Sequence, residues 1–211
     1  MWPDFATTVM EACSSKRRRR AAADLPATFD LLSRHTLMQW SLFFLISIGR
    51  GTQLTELSPG DAEKWLLWAA KANRDASFRV KTTEAMHFRR LLATPLLRAG
   101  KTTDEVEAHP MSRAFGIRDG NGIVFISCLG DVSPSGFLPV TVGNVKDTSL
   151  VELYRNTSLM RSLRDPDQFK GRCGICEYRK WCGGSRARAY AWTGDPLEAD
   201  PLCPYVPKPT P

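Results

Sequence analysis

The densest apolar stretch of the chain is WSLFFLISI at 40–48. Near-continuous hydrophobicity over so few residues predicts a parallel strand buried on both faces, because a half-exposed strand would alternate. The run falls far short of the roughly 20 residues that a membrane-crossing helix needs, which argues against a membrane partner. Gly49, Arg50 and Gly51 follow as a sharp exit from the strand. At 58–61 the sequence SPGD predicts a helix start, with Ser58 as N-cap and Pro59 in the first turn. Trp65, Leu66, Trp68, Ala69 and Ala72 then recur at helical spacing and predict one stripe packed on a sheet, so both tryptophans read as core. Alternation returns in FRVKTT at 78–83, a second strand, and 84–97 reads as another helix. One more helix is expected at 25–35, with Pro26 near its start.

The order strand, helix, strand, helix implies parallel α/β units. Two such units neither close a barrel nor cover both edges of a sheet, so this part is expected to be half of a larger architecture, completed by another chain or cut short. Residues 99–121 turn polar and predict a linker or mobile loop. GIVFISC at 122–128, a Gly130-Asp131 turn and an extended segment at 132–140 interrupted by Pro134 and Gly136 predict a β-hairpin. Leu150, Val151, Leu153, Tyr154 and Leu159 mark an amphipathic helix over 150–160. The resulting division is a poorly ordered basic segment at 1–24, an α/β part at 25–98, a linker at 99–121 and a small α+β domain at 122–211.

Composition narrows the classes. With 43% hydrophobic content over 211 residues the chain can bury a sizeable core, which excludes a disordered or coiled-coil protein. The formal charge of +7 is mostly local, since Lys16, Arg17, Arg18, Arg19 and Arg20 contribute five of it and leave +2 elsewhere. Adjacent cations with no aromatic residue among them read as a solvated tract, which argues against a nucleic-acid partner. Residues 1–15 carry Asp4 and Glu11 and show no charged start followed by an apolar core, so no secretory signal is read and a cytoplasmic protein with reduced thiols is expected.

The strongest chemical signal is Cys173-x2-Cys176-x5-Cys182-x20-Cys203. A Cys-x2-Cys turn aims two thiolates at one centre, Cys182 approaches as the chain doubles back, and Cys203 closes the set from a distant loop. Gly171, Gly174, Gly183 and Gly184 free the backbone around these ligands, while Tyr178 and Trp181 are placed to keep water away. Spacing alone leaves three readings open: an iron–sulfur cluster, a zinc knuckle, or two disulfides. Cys128 reads as a free thiol. His35, His87 and His109 share no metal-ligand spacing, and His87 at a helix start reads as a hydrogen-bonding residue.

Several of these segments together carry a resemblance. Cys128 ahead of the hairpin, Gly143-Asn144-Val145, Ser149-Leu150 with Tyr154, and CGICEYRKWCGGSRARAYAWTGD running on to Cys203 resemble the C-terminal portion of radical S-adenosylmethionine enzymes that carry a SPASM or twitch domain. The likeness covers 122–204 and, more loosely, 25–97, and is closest to members acting in haem pathways and on peptides. It implies an α/β fold, a half β/α barrel followed by a small α+β iron–sulfur domain with a β-hairpin. It also implies one auxiliary [4Fe–4S] cluster on Cys173, Cys176, Cys182 and Cys203. The cysteines that would hold a second auxiliary cluster are replaced by Thr148 and Arg186, so that cluster is expected to be absent.

The family's Cys-x3-Cys-x2-Cys signature is not among these residues either. S-adenosylmethionine is therefore expected as a cofactor only of an intact member, and no catalytic residue is assigned. The auxiliary cluster would relay an electron or bind substrate, a peptide or a tetrapyrrole. The partner would be a complementing N-terminal half or an electron-donor protein. Arg50 and Glu84, at the ends of the two strands, are candidates to face S-adenosylmethionine or substrate. Arg186 and Arg188 are candidates for a substrate carboxylate, although about 200° separates them on a helix and at most one should face the site. The alternative is a noncatalytic zinc or iron–sulfur module that docks on a partner through the open sheet edge.

Overall fold

The computed structural model describes residues 10–12, 22 and 24–207. The basic tract at 16–20 and Cys13 lie outside the described residues. A three-stranded parallel sheet organises the first half, with β1 (Met10–Ala12) beside β2 (Gln39–Phe44) and β2 beside β3 (Arg79–Thr83). The first of these strands was not foreseen from the sequence. Helix α1 (Leu25–Leu32) precedes β2, and α2 (Pro59–Asp75) crosses from β2 to β3. Ser58 caps α2 as its sequence predicts, its side chain accepting the Asp61 N–H at 3.1 Å.

Apolar burial explains why these elements pack. Trp40, Leu42 and Phe44 of β2 meet Leu66 and Ala69 of α2, with Phe78 and Val80 at the third strand. Trp68 packs edge-on against Trp40 at 6.2 Å and against Phe29 of α1 at 6.0 Å. Burying one such large side chain is worth about 1.5–3 kcal/mol, so this cluster dominates the sheet's stability. Leu202, from the far end of the sequence, is buried in the same core.

Two element boundaries differ from the sequence expectation. The apolar run continues to Ile48, yet β2 stops at Phe44 because its partner β3 ends opposite Phe43, at Thr83. Beyond that point the backbone turns to side chains: the Leu45 carbonyl accepts from Arg188 at 2.8 Å and the Ser47 N–H donates to Glu56 at 2.9 Å. Glu84 does not open the next helix. It lies in the left-handed region (φ 60°) and turns the chain out of the sheet, so that α3 (Phe88–Arg98) begins only after Ala85-Met86-His87.

Residues 99–121 carry structure of their own. Helix α4 (Thr103–Ala108) has a full capping box between Thr102 and Glu105, followed by a 3₁₀ turn at Pro110–Ala114. Val106 is buried with Ala93 of α3 and with Trp181, whose indole N–H donates to Glu107 at 2.7 Å. Arg89 of α3 donates to the carbonyls of Trp181 and Ile117. The segment thus holds the sheet and the cysteine region together rather than separating them.

After the short strands β4 (Arg118–Asp119) and β5 (Gly122–Ile123), the predicted hairpin forms between β6 (Phe125–Ile126) and β7 (Asp131–Ser133). A third antiparallel strand, β8 (Gly143–Asn144), adds to it. The single helix expected over 150–160 is two, α5 (Leu150–Asn156) and α6 (Ser158–Arg164). Thr157 breaks them apart with ψ 141°, its hydroxyl bonding back to the Leu153 carbonyl at 2.7 Å. Leu138 and Leu163 pack with Ile46, so this part also shares a core with the end of the β2 segment.

Candidate metal centre

Four short pieces of chain bring the cysteines together. Cys173 sits in the one-turn helix α7 (Gly171–Gly174), and Cys176 follows its C-terminal turn. Cys182 ends a turn closed by its own N–H on the Tyr178 carbonyl at 2.8 Å, and Cys203 follows a turn closed on Asp200 at 3.2 Å. All four line one pocket with His87, Arg90, Tyr178, Asp200 and Tyr205. Among the described residues no three His, Cys, Asp or Glu side chains are grouped to hold a single metal ion.

The glycines act where the chain is tightest. A Cβ on Gly174 would strike the Phe169 carbonyl, and that missing atom lets the chain turn between Cys173 and Cys176. Gly184 adopts φ +66°, and a Cβ there would stand 2.7 Å from Asp200 Cβ and 3.1 Å from Cys173 Sγ. The Gly184 N–H in turn points at Cys182 Sγ, 3.5 Å away. Tyr178 lines the pocket and packs edge-on with Tyr205 at 5.6 Å, whereas Trp181 sits beneath, buried against Phe115.

Burial and nearby positive charge act in opposite directions on these sulfurs. Burial pushes Cys176 up to about 11 and both Cys182 and Cys203 up to about 12, so at neutral pH these thiols keep their protons until a cation displaces them. Positive charge is already at hand: Arg186 Nη2 lies 3.6 Å from Cys173 Sγ, and Arg90 lines the wall with its guanidinium stacked 4.6 Å from the Tyr205 ring. Four thiols on one largely apolar wall, with N–H donors aimed at sulfur, form a donor set that fits a thiolate-bound cluster.

The remaining sequence candidates are placed differently. Helix α8 (Arg186–Thr193) is capped by Ser185 and closed by Gly194 in the left-handed region. Arg186 and Arg188 point to different sides of it, and both are fully buried. Arg186 bonds the carbonyls of Pro196 and Glu198 beside the cysteines. Arg188 binds Glu56 at 2.8 Å, the Glu84 carbonyl at 2.7 Å and the Leu45 carbonyl at 2.8 Å, with Asp200 3.6 Å away. Both guanidinium groups are thus engaged by the protein itself. Glu84 is buried and accepts the Ser185 hydroxyl at 2.6 Å, while Arg50 lies exposed on a 3₁₀ turn at Gly49–Gln53. Cys128 is exposed and apart from the other four.

Three acidic residues that the sequence did not single out complete the site, together with His87. The His87 side chain makes no hydrogen bond among the described residues where the sequence predicted one, because burial among apolar and ligand-wall groups leaves it no partner. Asp119 accepts the Ala187 N–H at 3.0 Å and Asp200 accepts the Ser185 N–H at 2.8 Å, both at the N-terminus of α8. Burial alone would raise Asp200, but Arg188, His87 and two backbone N–H groups together hold it below the usual carboxylate range. Glu56 anchors Arg188 from the loop after β2. His87 is fully buried, and burial pushes it down to about 4, so it is a neutral imidazole. The spacing of Asp200 ahead of Cys203 was the one local hint; Asp119 and Glu56 act through contacts too distant in sequence to read.

The relatives found are radical S-adenosylmethionine proteins, and their similarity along the chain is consistent with a radical S-adenosylmethionine protein. The chain is 38% identical over 190 residues to the AdoMet-dependent heme synthase of Methanosarcina barkeri, a match that takes in 90% of this chain and 54% of the relative. It is 35% identical over 184 residues to the protein of the same name from Nitratidesulfovibrio vulgaris, covering 85% and 50%. A shorter stretch of 92 residues is 41% identical to the pre-heme d1 synthase of Dinoroseobacter shibae, covering 42% of this chain and 23% of that one. The chain therefore spans about half the length of the heme synthases it matches. No family model matches it.

Proposed function

We propose that this chain supplies the auxiliary-cluster part of a radical S-adenosylmethionine protein. In this reading Cys173, Cys176, Cys182 and Cys203 hold one [4Fe–4S] cluster, the parallel sheet with its helices is the second half of a partial barrel, and 122–211 is a SPASM or twitch-like domain. The observation that carries it is the gathering of all four thiols around a single pocket. Zinc, with sulfurs about 2.3 Å from the ion, asks four thiolates to converge on a point, while a cubane spreads them around a cage. The thiols line a shared wall, and the likeness to radical S-adenosylmethionine relatives favours the cage.

When bound, such a cluster supplies a centre that takes up or passes on one electron, or an iron to which substrate can dock. The chain's own residues enclose it: Tyr178 and Tyr205 cover the pocket, Gly184 and Arg186 direct N–H groups at the sulfurs, and Arg90 places positive charge beside them. The names of the relatives favour a tetrapyrrole over a peptide as the substrate class. Cleavage of S-adenosylmethionine needs cysteines that these residues do not contain, so a complementing N-terminal part would supply them.

Anaerobic reconstitution tests the assignment. About four iron and four sulfide per chain are expected, with a brown colour that is lost when Cys173 and Cys182 are replaced by serine. A colourless protein carrying one zinc would show the alternative, a structural zinc module, to be right.

A further inference from the structure

His87 lines the cysteine pocket, is fully buried, and meets no hydrogen-bond partner at either ring nitrogen among the described residues. Leaving a buried polar group unpaired costs about 1–3 kcal/mol, so an enclosed imidazole with two open positions is matched to something that enters the pocket. The ordinary structural duties of such a histidine are already excluded. It occupies the N-cap position of α3, yet its side chain makes no capping bond. Asp200, the carboxylate whose charge it feels, has its oxygens on the Ser185 and Leu202 N–H groups, with the Arg188 guanidinium beside them.

The rest of the wall shows what is wanted of it. Gly184 N–H faces Cys182 Sγ at 3.5 Å and Arg186 Nη2 faces Cys173 Sγ at 3.6 Å, so two donors already address ligand sulfurs. His87 is a third donor on the same wall, and no thiol is within its reach. Resting on the cluster reading above, we propose that the His87 ring N–H donates to a sulfur of the [4Fe–4S] cluster and so raises its reduction potential. Reduction adds an electron to the cage and concentrates charge on its sulfurs. An N–H aimed at one of them stabilises the reduced form more than the oxidised form.

The test uses the full chain, labelled with ¹⁵N-histidine, reconstituted anaerobically and reduced. Pulsed EPR is expected to show a weak nitrogen coupling that disappears in His87→Leu, since His35 and His109 remain in that variant. His87→Leu should still bind its full iron, with the reduction equilibrium weakened about tenfold, which is 59 mV for one electron. His87→Asn keeps an N–H and should recover most of that shift; if the leucine variant does not fold, the labelled parent and the asparagine variant decide. Full iron with no nitrogen coupling in the parent, or a potential unmoved in His87→Leu, overturns the role of His87 alone. A strong coupling from a direct iron–nitrogen bond overturns donation as well. Failure to take up iron and sulfide at all overturns the cluster reading and this inference with it.

Discussion

Gly184 and Gly194 share a left-handed backbone, at φ +66° and φ +76°, but not a neighbourhood. Nothing lies within 4 Å of where a Cβ on Gly194 would stand, so Gly194→Ala meets only the backbone strain, about 1–2 kcal/mol. A Cβ on Gly184 adds close contacts with Asp200 and with the Cys173 sulfur. Gly184→Ala is therefore expected to lose more stability than Gly194→Ala in urea melts and, unlike it, to bind less iron after reconstitution. Equal melts and equal iron for the two variants would show that Gly184 is not part of the cradle. Such a difference is invisible in the sequence, where both positions are simply glycines near cysteines or at a helix end.

Helix α8 is held by charge gathered from distant elements. Its first turn faces Asp119, Asp200 and Ser185, and Arg188 ties it to the ends of β2 and β3. Burial pushes Glu84 up to about 8, with Asp119 adding to the rise, while the Ser185 hydroxyl and Arg188 pull against it. Folded Glu84 thus keeps a proton that the unfolded chain releases in the ordinary carboxylate range. Its contribution to stability is full below about pH 4.5 and is lost as pH rises through about 8. Above about pH 7.5, where His87 is neutral in both states, urea melts of the metal-free chain should show stability falling as pH rises through about 8. Glu84→Gln should flatten that fall; an unchanged slope would mean that Glu84 is ionised in the fold.

The same element shows where sequence reading succeeds. Local signals were legible: Ser58 as a cap, the β2 apolar run, and the four cysteines as a set. Each is decided within a few residues. The length of β2, the left-handed turn at Glu84 and the partners of Arg188 depend on groups over a hundred positions away or on where a neighbouring strand ends. Arg186 and Arg188 could be read as cationic and as facing apart, but not as fully enclosed.

At the scale of the molecule, the segment at 99–121 and two shared cores bind the sheet to the cysteine region. Val106 packs between Ala93 and Trp181, and Ile46 packs with Leu138 and Leu163. Metal loading should therefore be felt in the sheet. A chelator that strips the reconstituted protein is expected to lower the melting temperature of the whole chain in one step, followed by circular dichroism. Two separate transitions, with only the second moved by chelation, would contradict that coupling.

Leu202 is buried in the core beneath β2, and the next residue, Cys203, lines the cysteine pocket. In the proposed reading the end of the described chain is a strap whose buckle is a cluster ligand. Whatever free energy the bound metal gives to that residue is passed directly to the tryptophan-rich core one peptide bond away. In a cell short of iron, the consequence would be felt first in the abundance of the protein, because the unbuckled chain is the form that proteases find.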